Sequence, residues 1–183
     1  MIVPAHPLDN DDLAALSAAN PGWRVEREAD GSLAVSPTSY RNAIRAFEAA
    51  RQLNAWGEGR GFAAASDGGI TLPDTAVRAP DASWVSFDRW YALGDAQDDT
   101  FPGVVPDVVV EIVSRYDAYA RQRQKIARYV ELGARYAVLI DPERRRVEEF
   151  GSPPEDLRLD ITRIIDAGAP STDADDAADT NDA

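Results

Sequence analysis

The chain has 183 residues, 44% of them hydrophobic and 28% charged, with a formal net charge of −13, no cysteine and a single histidine, His6. That composition describes a globular chain with a real core. It excludes disulfides, thiolate zinc centres and cysteine nucleophiles, and it leaves no material for a histidine-rich metal site or a Ser-His-Asp triad.

Taken in chain order, "LDNDDLAALSAAN" (8–20) predicts a short helix with Asp9 or Asn10 as N-cap, broken by Pro21-Gly22. "WRVEREADGSLAVSP" reads as a β-hairpin turning at Asp30-Gly31. "SYRNAIRAFEAARQLNAWGE" (39–58) predicts the first long helix, with Ile44, Phe47, Ala50 or Arg51, and Leu53 facing the core, and Gly57, Gly59 and Gly61 ending it. Strand-like pieces follow: "FAAAS", "GITL" and, after a turn at "LPD", "AVRAPDASWVSF". A loop is expected over "DRWYALGDAQDDTFPGVVP". "DVVVEIVS" (107–114) is a strand apolar enough to be covered on both faces. "DAYARQRQKIARYVELG" (117–133) predicts a second long helix with Ile126, Tyr129, Val130 and Leu132 or Gly133 inward. "RYAVLID" (135–141) is another buried strand, and "PERRRVEEFG" a turn and an edge strand. The order is that of an α/β domain around a mixed sheet.

The charge is unevenly distributed. Residues 166–183 hold six Asp and no basic residue, the composition of a disordered acidic tail. Residues 1–165 then carry 26 acidic against 19 basic side chains, which argues against broad, non-specific nucleic-acid binding and leaves room for a local basic groove. No run of 18 apolar residues exists, so no transmembrane helix is expected. "MIVPAHPLDNDD" lacks the basic and apolar regions of a secretory signal, so a cytoplasmic location is the expectation.

Three residues stand out. Glu111 lies in the middle of the 107–114 strand, on the face of Val109 and Val113. An ionised carboxylate there needs a cation, a hydrogen-bond network or a function; Arg78 or Arg135 is a candidate neutralising partner. Lys125 is the one lysine beside 18 arginines, and it sits on the flank of the apolar stripe of the helix that follows. A compact ammonium there does what a planar guanidinium cannot. Asp81, in "APDASW", follows Pro80 and borders strand-like residues. If the Asp81 strand lies beside the Glu111 strand, and the helix packs back over the sheet, two carboxylates and an ammonium converge. Hard oxygen ligands of this kind suit magnesium or manganese, and the ammonium suits charge on a phosphate. Glu48 on the first helix is a further candidate ligand, though it also fits a solvated helix position. Asp107, after Pro106, reads as the residue that opens its strand. "GEGRG" (57–61) is too loose for a nucleotide loop, and no GxxxxGK[ST] exists.

With these residues in place, the ordered stretches "SPTSYRN", "SDGGITLPDTAVRAPDASWVSFDRW", "FPGVVPDVVVEIVSRYD" and "RQKIARYVELGARYAVLIDPERRRVEEF" span roughly residues 34–150. Together they resemble the Uma-two family of restriction-endonuclease-like proteins, within the PD-(D/E)XK nuclease superfamily. The resemblance implies a restriction-endonuclease-like α/β fold: a mixed central sheet flanked by helices, preceded here by the N-terminal helix and hairpin. It implies one domain over 1–165, with 166–183 as the tail. It also implies the site. Asp81 and Glu111 match the metal-binding positions. Lys125 matches a lysine that has moved to the following helix, since the superfamily's usual place, two residues after the Glu, is Val113. One departure is visible: where family members often carry an Asp before this turn, the chain reads "AAASDGG", with Ala65 in place and Asp67 displaced.

The expected function is metal-dependent hydrolysis of DNA phosphodiester bonds, with Mg or Mn as cofactor and Asp81, Glu111 and Lys125 as the catalytic set. Gln122 or Gln124 is expected to assist, and Arg78, Arg115, Arg121 and Arg123 to contact the phosphate backbone. No membrane partner is expected; a homodimer is compatible with the edge near "RRRVEEF" but not demanded. The alternatives are a catalytically inactive nuclease-fold interaction module and a hydrolase of a small anionic substrate.

Overall fold

A computed structural model describes residues 1–66, 68–115 and 117–169. The first helix, α1 (Asn10–Ala19), starts in a capping box: the Asp9 carboxylate accepts from the Asp12 N–H, and the Asp12 carboxylate accepts from that of Asp9. Strands β1 (Trp23–Arg27) and β2 (Leu33–Pro37) form the expected hairpin in the register Val25 opposite Val35, with Gly31 at φ +82° in its turn. Helix α2 (Tyr40–Trp56) follows.

Next come β3 (Gly61–Ala65), β4 (Ile70–Thr71), β5 (Val77–Arg78) and β6 (Ala82–Ser86). The segment expected to be loop opens instead as the one-turn helix α3 (Phe87–Tyr91) and a 3₁₀ turn at Gly94–Asp98. Its physical reason is an aromatic cluster, in which Phe62 meets Phe87, Trp90 and Tyr91 edge-on. The chain ends in β7 (Val108–Ile112), α4 (Tyr119–Glu131), β8 (Tyr136–Asp141), β9 (Arg146–Gly151) and α5 (Ile161–Asp166). Asp166, assigned from composition to the tail, is the last residue of α5 and pairs with Arg145 at 2.7 Å. Residues 170–183, the bulk of the expected tail, lie outside the described residues.

The strands divide between two sheets. The main sheet, ordered β3-β6-β7-β8-β9, is mixed: β7 and β8 run parallel and the other neighbours antiparallel. The smaller sheet, β2-β1-β5-β4, is antiparallel and carries the hairpin. β7 is fully buried, and its side chains alternate between two cores. Val108, Val110 and Ile112 join α2 and α5; Val109 and Val113 join Ile126 and Tyr129 of α4. Glu111 therefore occupies the α4 face, in a stripe that is otherwise valine.

Helix α2 differs from the expected facing. Ala46, Ala49, Ala50 and Leu53 form its buried face, while Phe47 is 65% exposed. Alanines let the helix lie close over Trp84 and the β7 valines, and a phenylalanine has no room in that layer.

Candidate active site

The partner of Glu111 comes from α4. Lys125 Nζ lies 2.9 Å from Glu111 Oε1 and 2.9 Å from Glu26 Oε1. α4 follows β7 and packs back over the β7–β8 pair, so a lysine on the flank of its apolar stripe hangs over the strand. Glu26 arrives from β1 of the small sheet, and its Oε1 also accepts from the Ala79 N–H at 2.8 Å. Towards Glu26 the ammonium makes a hydrogen bond, and towards Glu111 Oε1 it makes an ion pair at the same distance.

Asp81 sits one step beyond the last paired residues of β6 and β7, Ala82 and Val110, which places it opposite Glu111. Its Oδ2 accepts from the Ile112 N–H at 2.7 Å and so extends the ladder through a side chain. Its Oδ1 is held by Arg24 Nη2 at 2.9 Å. Arg24 and Glu26 are two residues apart on β1 and share a face.

These charges control one another. Burial pushes the Glu111 carboxyl up to about 7; Lys125 opposes the shift, and the charges of Asp81 and Glu26 add to it. Burial also works on Glu26, but Lys125, Arg78 and the Ala79 N–H outweigh it and hold Glu26 below the usual carboxylate range. For Lys125, burial acts against the charge, yet Glu111 and Glu26 raise its pKa overall. The same balance holds for Arg24, whose charge is sustained against burial by Asp81, Glu111 and Glu26.

The cluster opens into a cavity of about 80 Å³ lined by Arg24, Glu26, Asp81, Glu111, Gln122 and Lys125 together with the first turn of α2. Of the residues named from sequence, Asp81, Glu111, Lys125 and Gln122 meet here. Gln124 does not line the cavity. Arg78 is buried between Glu26, at 3.8 Å, and Glu28, and neutralises neither Glu111 nor Asp81. Arg121 pairs with Glu28 at 2.7 Å, Arg123 with Glu148 at 2.7 Å and Arg115 with Glu143 at 3.9 Å. Asp107 opens its strand as expected, accepting from the Ser86 N–H and pairing with Arg89. Glu48 is elsewhere, tied to Arg51, Gln52 and Arg163. Asp67 lies outside the described residues.

Among the described residues no three side chains of metal-binding type converge tightly enough to hold an ion by themselves. Magnesium keeps several waters and needs only one or two carboxylates. Asp81 and Glu111 supply those as hard oxygens on the wall of one cavity. The donor set fits such an ion, provided that Arg24 yields its place on Asp81.

Residues 10–170 match the family model of Uma2, described as "Putative restriction endonuclease". The chain belongs to the Uma2 family. A solved structure with the same fold is a "putative nuclease belonging to DUF820" from Anabaena variabilis, 18% identical, with a TM-score of 0.62 over 77% of this chain and 89% of that one. No curated protein matches the chain. The Uma2 match confirms the family and the restriction-endonuclease-like fold read from the sequence. In this Uma2 chain the sequence reading missed Glu26 and Arg24. Their one trace in the sequence is that two charged residues at i and i+2 on a hairpin strand share a face, a pattern that fits solvent as well as a buried pair.

Proposed function

We propose that this Uma2 protein is a divalent-cation-dependent endonuclease acting on DNA. The observation that carries the reading is the convergence of Asp81, Glu111 and Lys125, from three separate elements, on one cavity. Asp81 and Glu111 would hold magnesium or manganese, which when bound lends positive charge to a phosphate and lowers the pKa of a water. Lys125 has three donors. Glu26 and Glu111 occupy two directions around its ammonium, and the third is free for a phosphoryl oxygen or the attacking water. Lys125 also opposes the upward push of burial on the Glu111 carboxyl. The opening turn of α2, which lines the cavity, has no acidic residue and no side-chain cap on its N–H groups, a setting that favours phosphate.

The test is cleavage of plasmid and oligonucleotide DNA with magnesium or manganese, comparing the wild type with Glu111→Gln and Lys125→Ala at a temperature where circular dichroism shows all three folded. Loss of cleavage in both variants supports the site; equal cleavage in all three rejects it. A second reading, a nuclease-fold module without hydrolysis, is favoured by one observation: Asp81 already has a protein cation, Arg24, on it.

A further inference from the structure

Arg24 Nη2 holds Asp81 Oδ1 at 2.9 Å, beside the acidic cavity. We infer that Arg24 is the resident counter-ion of Asp81 in the ion-free protein, and that a divalent cation binds this site by displacing it. The inference rests on the metal-dependent reading above and adds to it a side chain that sets how readily the site is loaded.

Four observations carry it. Asp81 Oδ2 already accepts from the Ile112 N–H at 2.7 Å, which leaves Oδ1 the freer oxygen for an ion, and Arg24 Nη2 is 2.9 Å from it. A divalent ion beside that guanidinium would place three units of positive charge around one carboxylate oxygen, and one of the two must leave. Of the two cations in the cavity, Arg24 is the one able to go. Its side chain is 24% exposed and makes one ion pair, whereas that of Lys125 is 10% exposed and pinned by two acids.

There is also somewhere for it to go. Arg24 stands on the boundary between the acidic cavity and a neighbouring one of about 200 Å³, with Thr38 and Ser66 lining both. On this inference the guanidinium swings by its own torsions from one space towards the other. The second cavity offers the Thr38 and Ser66 hydroxyls in place of the carboxylate, and Arg78 also lines it.

The experiment is calorimetric titration of Mn²⁺ into the wild type, Arg24→Gln, Arg24→Lys and Asp81→Asn, with melting temperatures recorded for each with and without the ion. Removing the competitor raises apparent affinity by the reciprocal of the fraction in which Asp81 is free, so Arg24→Gln is expected to bind Mn²⁺ about tenfold more tightly. Ion-free, it should melt lower than the wild type and gain more on ion addition; Asp81→Asn should not bind. Unchanged or weaker binding in Arg24→Gln, with normal binding in the wild type, overturns this inference and leaves the metal reading intact. Absence of binding in both overturns the metal reading and the inference with it. Binding in Arg24→Gln alone supports the inference in its strongest form. If Arg24→Gln does not fold, the wild type decides: the Arg24 Nε–H nuclear magnetic resonance signal, assigned by its loss in Arg24→Lys, should shift on Mg²⁺ addition, and a signal unmoved at saturating ion overturns the displacement.

Discussion

Replacing Lys125 by alanine strips two buried carboxylates of the cation they share. Its Nζ is 2.9 Å from each, and the Glu26 and Glu111 side chains are only 9% and 3% exposed. At an effective dielectric of about 20, each contact is worth roughly 6 kcal/mol of attraction. Most of that is offset by the desolvation of the ammonium, which the variant no longer suffers. Removing one partner of a buried pair costs about 3–5 kcal/mol, and with Glu111 deprived of its ammonium and Glu26 left to Arg78 at 3.8 Å the upper part of that range is expected here. For a chain of this size each kcal/mol moves the melting temperature by about 2–4 °C, so a fall of about 8–20 °C is expected at pH 8.

The pH dependence has a definite sign. Glu111 in the folded protein sits at about 7, above its ordinary 4.5, so its ionisation already costs stability as pH rises through that window. Without Lys125 the folded value climbs further, and the cost keeps growing beyond pH 7. At pH 5.5 the orphaned Glu111 carboxyl is neutral and its burial cheap. The deficit of the variant against the wild type should therefore be smaller at pH 5.5 than at pH 8. Urea unfolding at both pH values, in chelator, measures it. A loss under about 1 kcal/mol, or one equal at both pH values, would refute the claim that Lys125 neutralises this pair. Lys125→Met combined with Glu111→Gln should recover part of the loss, because the two sites share one interaction.

Three further outcomes are expected. In Gly57→Ala the new Cβ would lie 1.9 Å from Trp84 Nε1, in a ring already packed 4.8 Å from Trp56; a loss of about 1–3 kcal/mol and a shift in tryptophan emission should follow. Tyr129→Phe removes a buried hydroxyl that has no hydrogen-bond partner among the described residues, so unfolding in urea should show no loss, or a gain of about 1 kcal/mol. Glu48 is held at about 2, chiefly by hydrogen bonds from Arg51, with burial opposing and Gln52 assisting. That value lies below its unfolded one, so its contribution is complete above about pH 4.5 and vanishes as pH falls towards 2. Glu48→Gln should lose under about 1 kcal/mol at pH 7 because its arginine partners are half exposed, match the wild type near pH 2, and leave any cleavage activity unchanged.

The main sheet was legible because its strands are long and apolar. The valine run around Glu111 and "RYAVLID" admit no exposed face, and both became central strands. Their alternation also placed Glu111 on the side of Val109 and Val113, and so facing α4. Short elements left no such trace. α5 has six residues, too few for a helical period, yet Ile164 and Ile165 close the core under α2. α3 is five residues held by aromatic contacts to Phe62, which lies more than twenty residues away in sequence. Phe47 shows the limit of counting apolar positions, since three alanines and a leucine packed better than the larger ring.

The acids and the lysine could be picked out by type; what surrounds them could not. Glu26 meets Lys125 across 99 residues of sequence, and Arg24 meets Asp81 across 57. On a hairpin read alone, both belong on the solvent side. Glu26 is buried and Arg24 half-buried because β1 pairs with β5, and β5 leads through Pro80 directly to Asp81, so the small sheet is drawn over the end of β7. That same geometry explains how a carboxylate survives in the middle of a central strand. The protein brings its own cations, Lys125 to Glu111 and Arg24 to Asp81, and so makes the empty cavity stable. On the displacement inferred above, a site balanced in this way takes a divalent ion in exchange for a cation. Lys125 is shared by two acids and anchored on a long helix, whereas Arg24 lies at the boundary of a second cavity. Stability of the empty protein and affinity for an ion are thus set against each other through one arginine, and substitutions at position 24 should move the two in opposite directions.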